Sequence, residues 1–248
     1  ESIEKVASNM EDIKPTIMTA VPRLFERMYS KIKKNVDSQP ASKQKIFNWG
    51  IETGKELAIA KQSGMPIPIS LTLKHKLASK LVYAKLKDKT GGRLRFFISG
   101  GAALARELGL FFEAAGMLII EGYGLTESSP VIAANRPNDY KFGTVGKVMP
   151  GVEVKIAKDG EILACGPNIM KGYYKNKKET DESIKNGWLH TGDIGVFDAE
   201  GFLIITDRKK HLFKTTTGKY IAPTPIENMF LASKYIDQFV LIGDRRMF

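Results

Sequence analysis

Apolar residues change their spacing along the chain, and the changes mark its organisation. Residues 16–20 form a short β-branched run closed by Pro22, and Leu24, Phe25, Met28 and Ile32 then recur at helical spacing, predicting a strand followed by an amphipathic helix. A second helical period covers about 42–61. A third, carrying Leu73, Leu77, Leu81 and Leu86, follows a loop marked by Pro66 and Pro68. Residues 94–98 read as a buried strand, Ser99-Gly100-Gly101 as a turn, 104–115 as a helix and 118–121 as a strand. Strand, crossover helix and strand make a β-α-β unit with a parallel sheet. Ligands of such sheets sit beyond the C-terminal strand ends, so the Ser99-Gly100-Gly101 turn and residues 122–127 are expected to face one crevice.

From about Gly143 the period becomes that of short alternating strands with tight turns. Residues 152–156 and 161–164 flank an Asp159-Gly160 hairpin signal, and 195–197 and 202–206 flank a turn at 198–201. This predicts an antiparallel β region. The charged run 207–211 reads as an inter-domain connection, and the apolar run 239–242 as one more strand. The chain opens on Glu1-Ser2-Ile3 without Met and stops soon after that last run, so both ends read as cut from something longer.

With 248 residues, 43% of them hydrophobic, the chain can fill a substantial core. The 38 Lys and Arg against 27 Asp and Glu leave a formal charge of +11, which favours anionic partners: nucleotides, coenzyme A, nucleic acid or anionic lipid. A single cysteine, Cys165, rules out an internal disulfide, and with only His75, His190 and His211 there is no spaced Cys/His cluster for zinc. No apolar stretch reaches about 18 residues, and no charged-then-apolar leader opens the chain.

Three segments carry candidate chemistry. Gly122-Tyr123-Gly124-Leu125-Thr126-Glu127 offers two glycines that let backbone approach a ligand, an aromatic face, a hydroxyl and a carboxylate, a mixture suited to a nucleoside phosphate with magnesium on Glu127. On spacing alone, an ordinary strand-to-loop turn around a buried Tyr is the plainer reading of the same residues. Thr191-Gly192-Asp193 places a carboxylate where it could accept from ribose hydroxyls, although Thr-Gly-Asp is also a good plain turn. Asp207-Arg208-Lys209-Lys210 is either a solvated loop or a cationic contact to a polyanion, and Gly218-Lys219 follows it. Phe97 stands where a serine-hydrolase elbow around Ser99 needs glycine, and neither a P-loop nor a Gly-x-Gly-x-x-Gly fingerprint is present.

Taken in order, these segments resemble the adenylate-forming superfamily of acyl- and aryl-CoA synthetases, luciferases and peptide-synthetase adenylation domains. The run from Asn186 to Gly195, then Asp198-x-x-Gly201-Phe202-Leu203 and Asp207-Arg208-Lys209-Lys210, with Val21-Pro22-Arg23-Leu24-Phe25-Glu26-Arg27-Met28-Tyr29, is most similar to the long-chain fatty-acid-CoA ligases. The resemblance implies an α/β fold class: a parallel-sheet α/β subdomain over 1–142, an antiparallel, barrel-like β subdomain over 143–206, and a hinge with the start of a small mobile C-terminal α+β domain over 207–248. It places Gly100, Gly101, Ala102 and Tyr123 at adenine, Gly124 among the nucleotide-binding residues, Thr126 at phosphate, Glu127 on magnesium, and Asp193 and Arg208 on the ribose. Lys210 takes the hinge position, and Gly218 lies on the loop lining the path of the pantetheine thiol. Phe25 stands on the helix where some long-chain enzymes carry a Trp that gates the fatty-acid tunnel.

The implied reaction joins a fatty acid to coenzyme A through an acyl-adenylate, using ATP and Mg2+ and releasing AMP and pyrophosphate. Attack of a carboxylate on the α-phosphate needs charge neutralisation and alignment, not a protein nucleophile. The family's upstream phosphate loop and its catalytic lysine lie outside 1–248, so this stretch alone is expected to bind nucleotide weakly and to turn over nothing. A cytoplasmic setting with peripheral membrane association, and no nucleic-acid partner, goes with this reading. The alternatives are an adenylation domain loading a carrier protein and a non-catalytic nucleotide-binding or basic interaction module.

Overall fold

The computed structural model describes residues 5–214, 220–231, 236 and 239–243. They fall into two compact units, Glu1–Glu121 with Asn135–Gly143, and Gly122–Ala134 with Thr144–Phe248.

In the first unit, α1 (Val6–Ile13) precedes β1 (Ile17–Ala20), and α2 (Pro22–Asp37) follows at once. Pro22 suits the first helical position because it has no N–H to leave unpaired and its φ is already helical. Helix α3 (Ala41–Gln62) starts after Pro40, while α4 (Ile69–Ala78) runs through a π-helical turn (Ser79–Tyr83) into α5 (Ala84–Asp88). Then come β2 (Phe96–Ser99), α6 (Arg106–Ala114) and β3 (Ile119–Gly124). Strands β1, β2 and β3 pair in parallel, with Met18 opposite Phe97 and Phe97 opposite Ile119. The expected β-α-β unit is therefore present.

Its core is aromatic. Phe25 is fully buried and meets Phe97 and Phe112 edge-on at 5.2 and 5.8 Å between ring centroids. Phe25 therefore packs in the core of this unit. The stripe Leu73, Leu77 and Leu81 is 60%, 52% and 44% exposed, while Leu71, Ala78 and Val82 face inward. Helical period predicted these helices correctly but could not choose between two apolar faces of one helix, a choice made by packing against α3.

In the second unit, the end of β3 pairs antiparallel with β4 (Val131–Ala134), and β4 with β5 (Lys147–Val148). A separate antiparallel sheet has the order β10-β9-β7-β6: β6 (Glu153–Ile156), β7 (Glu161–Cys165), β9 (Trp188–Phe197) and β10 (Leu203–Arg208). Between β7 and β9 lie α7 (Lys177–Ser183), capped by the Asn176 side chain, and β8 (Ile184–Lys185) on the flank of β9. Strands β11 (Phe213–Lys214) and β12 (Tyr220–Ile221) pair with each other, and α8 (Pro223–Leu231) follows.

The strand expected over 239–242 is not formed. Among the described residues they pair with no strand; Phe239 stacks on Phe230 at 4.1 Å and the Leu241 N–H donates to Glu227 Oε1 at 2.9 Å. An apolar run becomes a strand only where another edge takes up its backbone groups.

Helices α3 and α6 cross at Gly54, where an added Cβ would lie 2.4 Å from the Ala114 carbonyl oxygen. Helix propensity alone predicts that Gly54→Ala stabilises by about 1 kcal/mol. The contact predicts the opposite sign, a loss of about 1–3 kcal/mol from overpacking against backbone. Urea denaturation decides between them, and a raised midpoint would mean that the two helices can move apart freely.

Candidate functional site

At the C-terminal end of β2 the chain turns through Gly100, whose N–H donates to the Ala20 carbonyl at 3.2 Å, and Gly101, whose φ of +83° suits glycine. Gly101 and Ala102 are exposed. The turn is held from the neighbouring strand: Glu121, the register partner of Ser99, accepts from the Leu104 N–H at 3.3 Å. Glu121 is buried, as is the Ser99 hydroxyl, which has no hydrogen-bond partner among the described residues.

In the second unit Tyr123 and Asp193 meet, seventy positions apart in the chain. The Tyr123 ring packs among Ile132, Ala133, Val145, Ile162 and Leu203 and is 7% exposed. Its hydroxyl donates to Asp193 Oδ2 at 2.8 Å, and Arg208 Nε forms an ion pair with Oδ1 at 3.2 Å. Burial first, then the Asp193 charge, pushes the Tyr123 phenol far up, so it stays a donor. Asp193 is 4% exposed, with one carboxylate oxygen on the Tyr123 hydroxyl and the other on Arg208.

Asp193 reaches this position through a bulge. Leu163 pairs with His190 and Glu161 with Ile194, so two steps along β7 face four along β9. The surplus is absorbed at Gly192, with φ +73°, and a Cβ there would meet nothing within 4 Å. The glycine is required by backbone conformation, not by space. Thr191-Gly192-Asp193 is therefore an interruption inside a ten-residue strand, and the alternative of a plain turn between elements does not apply.

Glu161, which sequence reasoning passed over, fastens the bulge. Its Oε1 accepts from the Gly192 N–H at 3.0 Å, while Oε2 lies 2.9 Å from Lys209 Nζ and 3.0 Å from His190 Nδ1. Burial alone would raise the Glu161 carboxyl, but Lys209, His190 and the Gly192 N–H outweigh it and hold the carboxyl below the usual range. Lys209 also reaches Asp159 Oδ2 at 2.7 Å, and its N–H donates to the Gly192 carbonyl at 2.8 Å. Only the Asp159-Gly160 hairpin signal hinted at these acids.

Glu127 differs. It lies on the 3-10 turn Thr126–Ser128 and is partly open, with Thr126 exposed beside it; Tyr173 donates to its Oε1 at 2.8 Å. The two glycines of this segment have unlike reasons. A Cβ on Gly124 would fall 1.6 Å from the Pro130 carbonyl oxygen, whereas Gly122 has nothing within 4 Å. Gly124 is demanded by its own loop, and Gly122 alone leaves room beside the backbone.

Lys210 sits exposed on the turn after β10. Just before it, the fully buried Asp207 carboxylate accepts from the Arg208 N–H at 2.6 Å and the Thr224 N–H at 3.1 Å, capping the first turn of α8. Gly218 lies outside the described residues. Among the described residues there is no cluster of three or more metal-ligating side chains and no helix long and apolar enough to cross a membrane.

The family described as AMP-binding enzyme matches residues 2–174. The long-chain-fatty-acid--CoA ligase FadD15 of Mycobacterium bovis is 42% identical over 235 residues, covering 95% of this chain and 39% of that protein. The peroxisomal long chain acyl-CoA synthetase 6 of Arabidopsis thaliana is 37% identical over 256 residues, covering 97% and 35%. The chain thus spans about two fifths of the curated relatives it matches. Among solved structures, the o-succinylbenzoate CoA synthetase of Bacillus subtilis with its acyl-adenylate intermediate matches 96% of this chain and 40% of that one, with a TM-score of 0.65 at 23% identity. At that identity the likeness establishes the fold, the mixed α/β architecture expected from the sequence.

Burial pushes the Glu121 carboxyl up from 4.5 to about 7, with the Leu104 N–H only partly offsetting it. The folded chain then holds a proton that the unfolded chain has lost, so stability falls as pH rises from about 4.5 to about 7 and stays low above. Glu121→Gln should flatten this slope and gain on the order of 3 kcal/mol at pH 8 with little change at pH 4. An equal wild-type-to-variant difference at both pH values would show that Glu121 ionises freely.

Proposed function

Because the chain belongs to the AMP-binding enzyme family, we propose that it is the nucleotide-binding portion of a long-chain fatty-acid-CoA ligase. The whole enzyme would convert a fatty acid, ATP and coenzyme A to acyl-CoA, AMP and pyrophosphate. A fatty-acid carboxylate oxygen bonds to the α-phosphorus as the bond to the β-phosphate breaks; the coenzyme A thiol then takes the acyl group, loses its proton, and AMP leaves. The observation that carries this reading is the Tyr123–Asp193–Arg208 constellation, together with the similarity to curated long-chain ligases over nearly the whole chain.

Asp193 is read as the acceptor for the ribose hydroxyls, held in place by Tyr123 and Arg208. A buried carboxylate with its own donors fixed loses little freedom on receiving a ligand. Most of the Arg208 side chain is exposed, leaving guanidinium N–H groups for the ribose as well. Gly100, Gly101 and Ala102, in their open turn, and Tyr123 are read as adenine contacts, Gly124 as a nucleotide-binding residue, and the exposed Thr126 hydroxyl as a donor to phosphate.

Glu127 suits magnesium: it is a hard oxygen donor, accessible, with one oxygen held by Tyr173 and the other left for a cation. Mg2+ is commonly bound by one or two carboxylates plus substrate phosphates and waters, so a lone acid is a sufficient protein contribution. When bound, the ion offsets phosphate charge. Residues 207–248 are read as the hinge and the start of a mobile C-terminal domain, with Lys210 at the pivot and Gly218 on the thiol path, after 1–142 and 143–206 as the large and β subdomains. The stretch 1–248 alone would bind nucleotide weakly and form no thioester.

In the full-length protein, pyrophosphate release should require a fatty acid. Glu127→Ala should lower the rate by about 100-fold or more, and Asp193→Ala should cost about tenfold or more in kcat/KM for ATP. Undiminished turnover in the Glu127 variant, or pyrophosphate release without fatty acid, would sink the assignment.

A further inference from the structure

Nothing in the reading above gives a task to residues 168–173, yet this segment is fastened to the Glu127 turn at three points. The Met170 N–H donates to the Glu127 carbonyl at 2.8 Å. Asn168 Nδ2 donates to the Ser128 carbonyl at 2.9 Å and the Val131 carbonyl at 3.2 Å. The Tyr173 hydroxyl donates to Glu127 Oε1 at 2.8 Å. The first two contacts fix the backbone of the turn; the third fixes the carboxylate itself.

We propose that Tyr173 is a positioning residue for cation binding, holding the Glu127 carboxylate so that its second oxygen meets a divalent metal ion; this rests on the reading of Glu127 as the magnesium ligand. A glutamate side chain has several torsions to lose on meeting a cation, and a hydrogen bond to one oxygen removes most of that freedom beforehand. Tyr173 is itself held. Its N–H donates to Thr180 Oγ1 at 2.9 Å, and Gly172, with φ +146°, brings the backbone so close to Thr180 that a Cβ would fall 2.6 Å from Thr180 Cγ2. Helix α7, which carries Thr180 and is capped by Asn176, therefore sets where the Tyr173 hydroxyl points. The chain of restraint runs from α7 through Tyr173 to Glu127.

A phenol suits the task. Its hydroxyl donates one hydrogen bond at the end of a rigid ring and brings no charge to compete with the cation.

The test uses the full-length protein and Mn2+ as a spectroscopic probe, titrated by electron paramagnetic resonance with a non-hydrolysable ATP analogue. Alongside it, the Mg2+ dependence of pyrophosphate release is measured at fixed ATP. Tyr173→Phe should weaken Mn2+ about tenfold, raise half-saturating Mg2+ by a similar factor, and recover most of the rate at saturating Mg2+. Unchanged Mn2+ affinity and Mg2+ profile in Tyr173→Phe, with both lost in Glu127→Ala, would overturn the inference while leaving the reading of Glu127 intact. Unchanged metal binding in Glu127→Ala would overturn that reading first. Should Tyr173→Phe alter the melting curve, Thr180→Val, which frees the segment without touching the phenol, gives the same discrimination: a Mg2+ requirement that stays put argues against the restraint.

Discussion

A buried carboxylate must be surrounded by donors or give up its charge, and the β region of this chain is arranged around that constraint at Asp193. Tyr123 donates a hydrogen bond to it from β3, and Arg208 pairs its charge from β10. To present Asp193 to both, β9 carries two surplus residues, and the resulting bulge is fastened by Glu161, itself buried and in need of Lys209, His190 and the Gly192 N–H. The register of β7, β9 and β10 and the place of Asp193 thus follow from one another. Glu161 thus holds both the Gly192 backbone and an ion pair immediately before Asp193 in the chain.

The second unit holds its carboxylates in different states. Asp193 is enclosed and already bears a hydrogen bond and an ion pair, which suits an acceptor that must not move. Glu127 stands at a partly open turn with a single neutral donor, which suits an acid awaiting a cation. The same functional group thus serves two purposes because environment, not chemistry, sets its availability. Asp207 makes a third case, its charge spent on the backbone of Arg208 and on the start of α8, so it ties the end of the β sheet to the segment beyond the Lys210 turn.

Much of this was written in the order of residues. Helical period and Pro22 fixed the start of α2, short apolar runs fixed β1, β2 and β3, and Asp159-Gly160 announced the β6–β7 hairpin, because these depend on local sterics and on which positions are apolar. The segments that hold Tyr123, Glu127, Asp193 and Arg208 were recognisable from their residue types and order. Contacts between distant positions were not. That Tyr123 would turn its hydroxyl on Asp193, that Glu161 and Tyr173 would matter at all, that Gly124 answers to Pro130 and Gly192 to a bulge, and that residues 239–242 would lie against Phe230 and Glu227 instead of forming a strand, are outcomes of pairing partners brought together by the fold. Sequence by itself determined which residues could carry the chemistry; tertiary structure decided which of them are restrained, because a hydrogen bond needs its second atom and only folding supplies it.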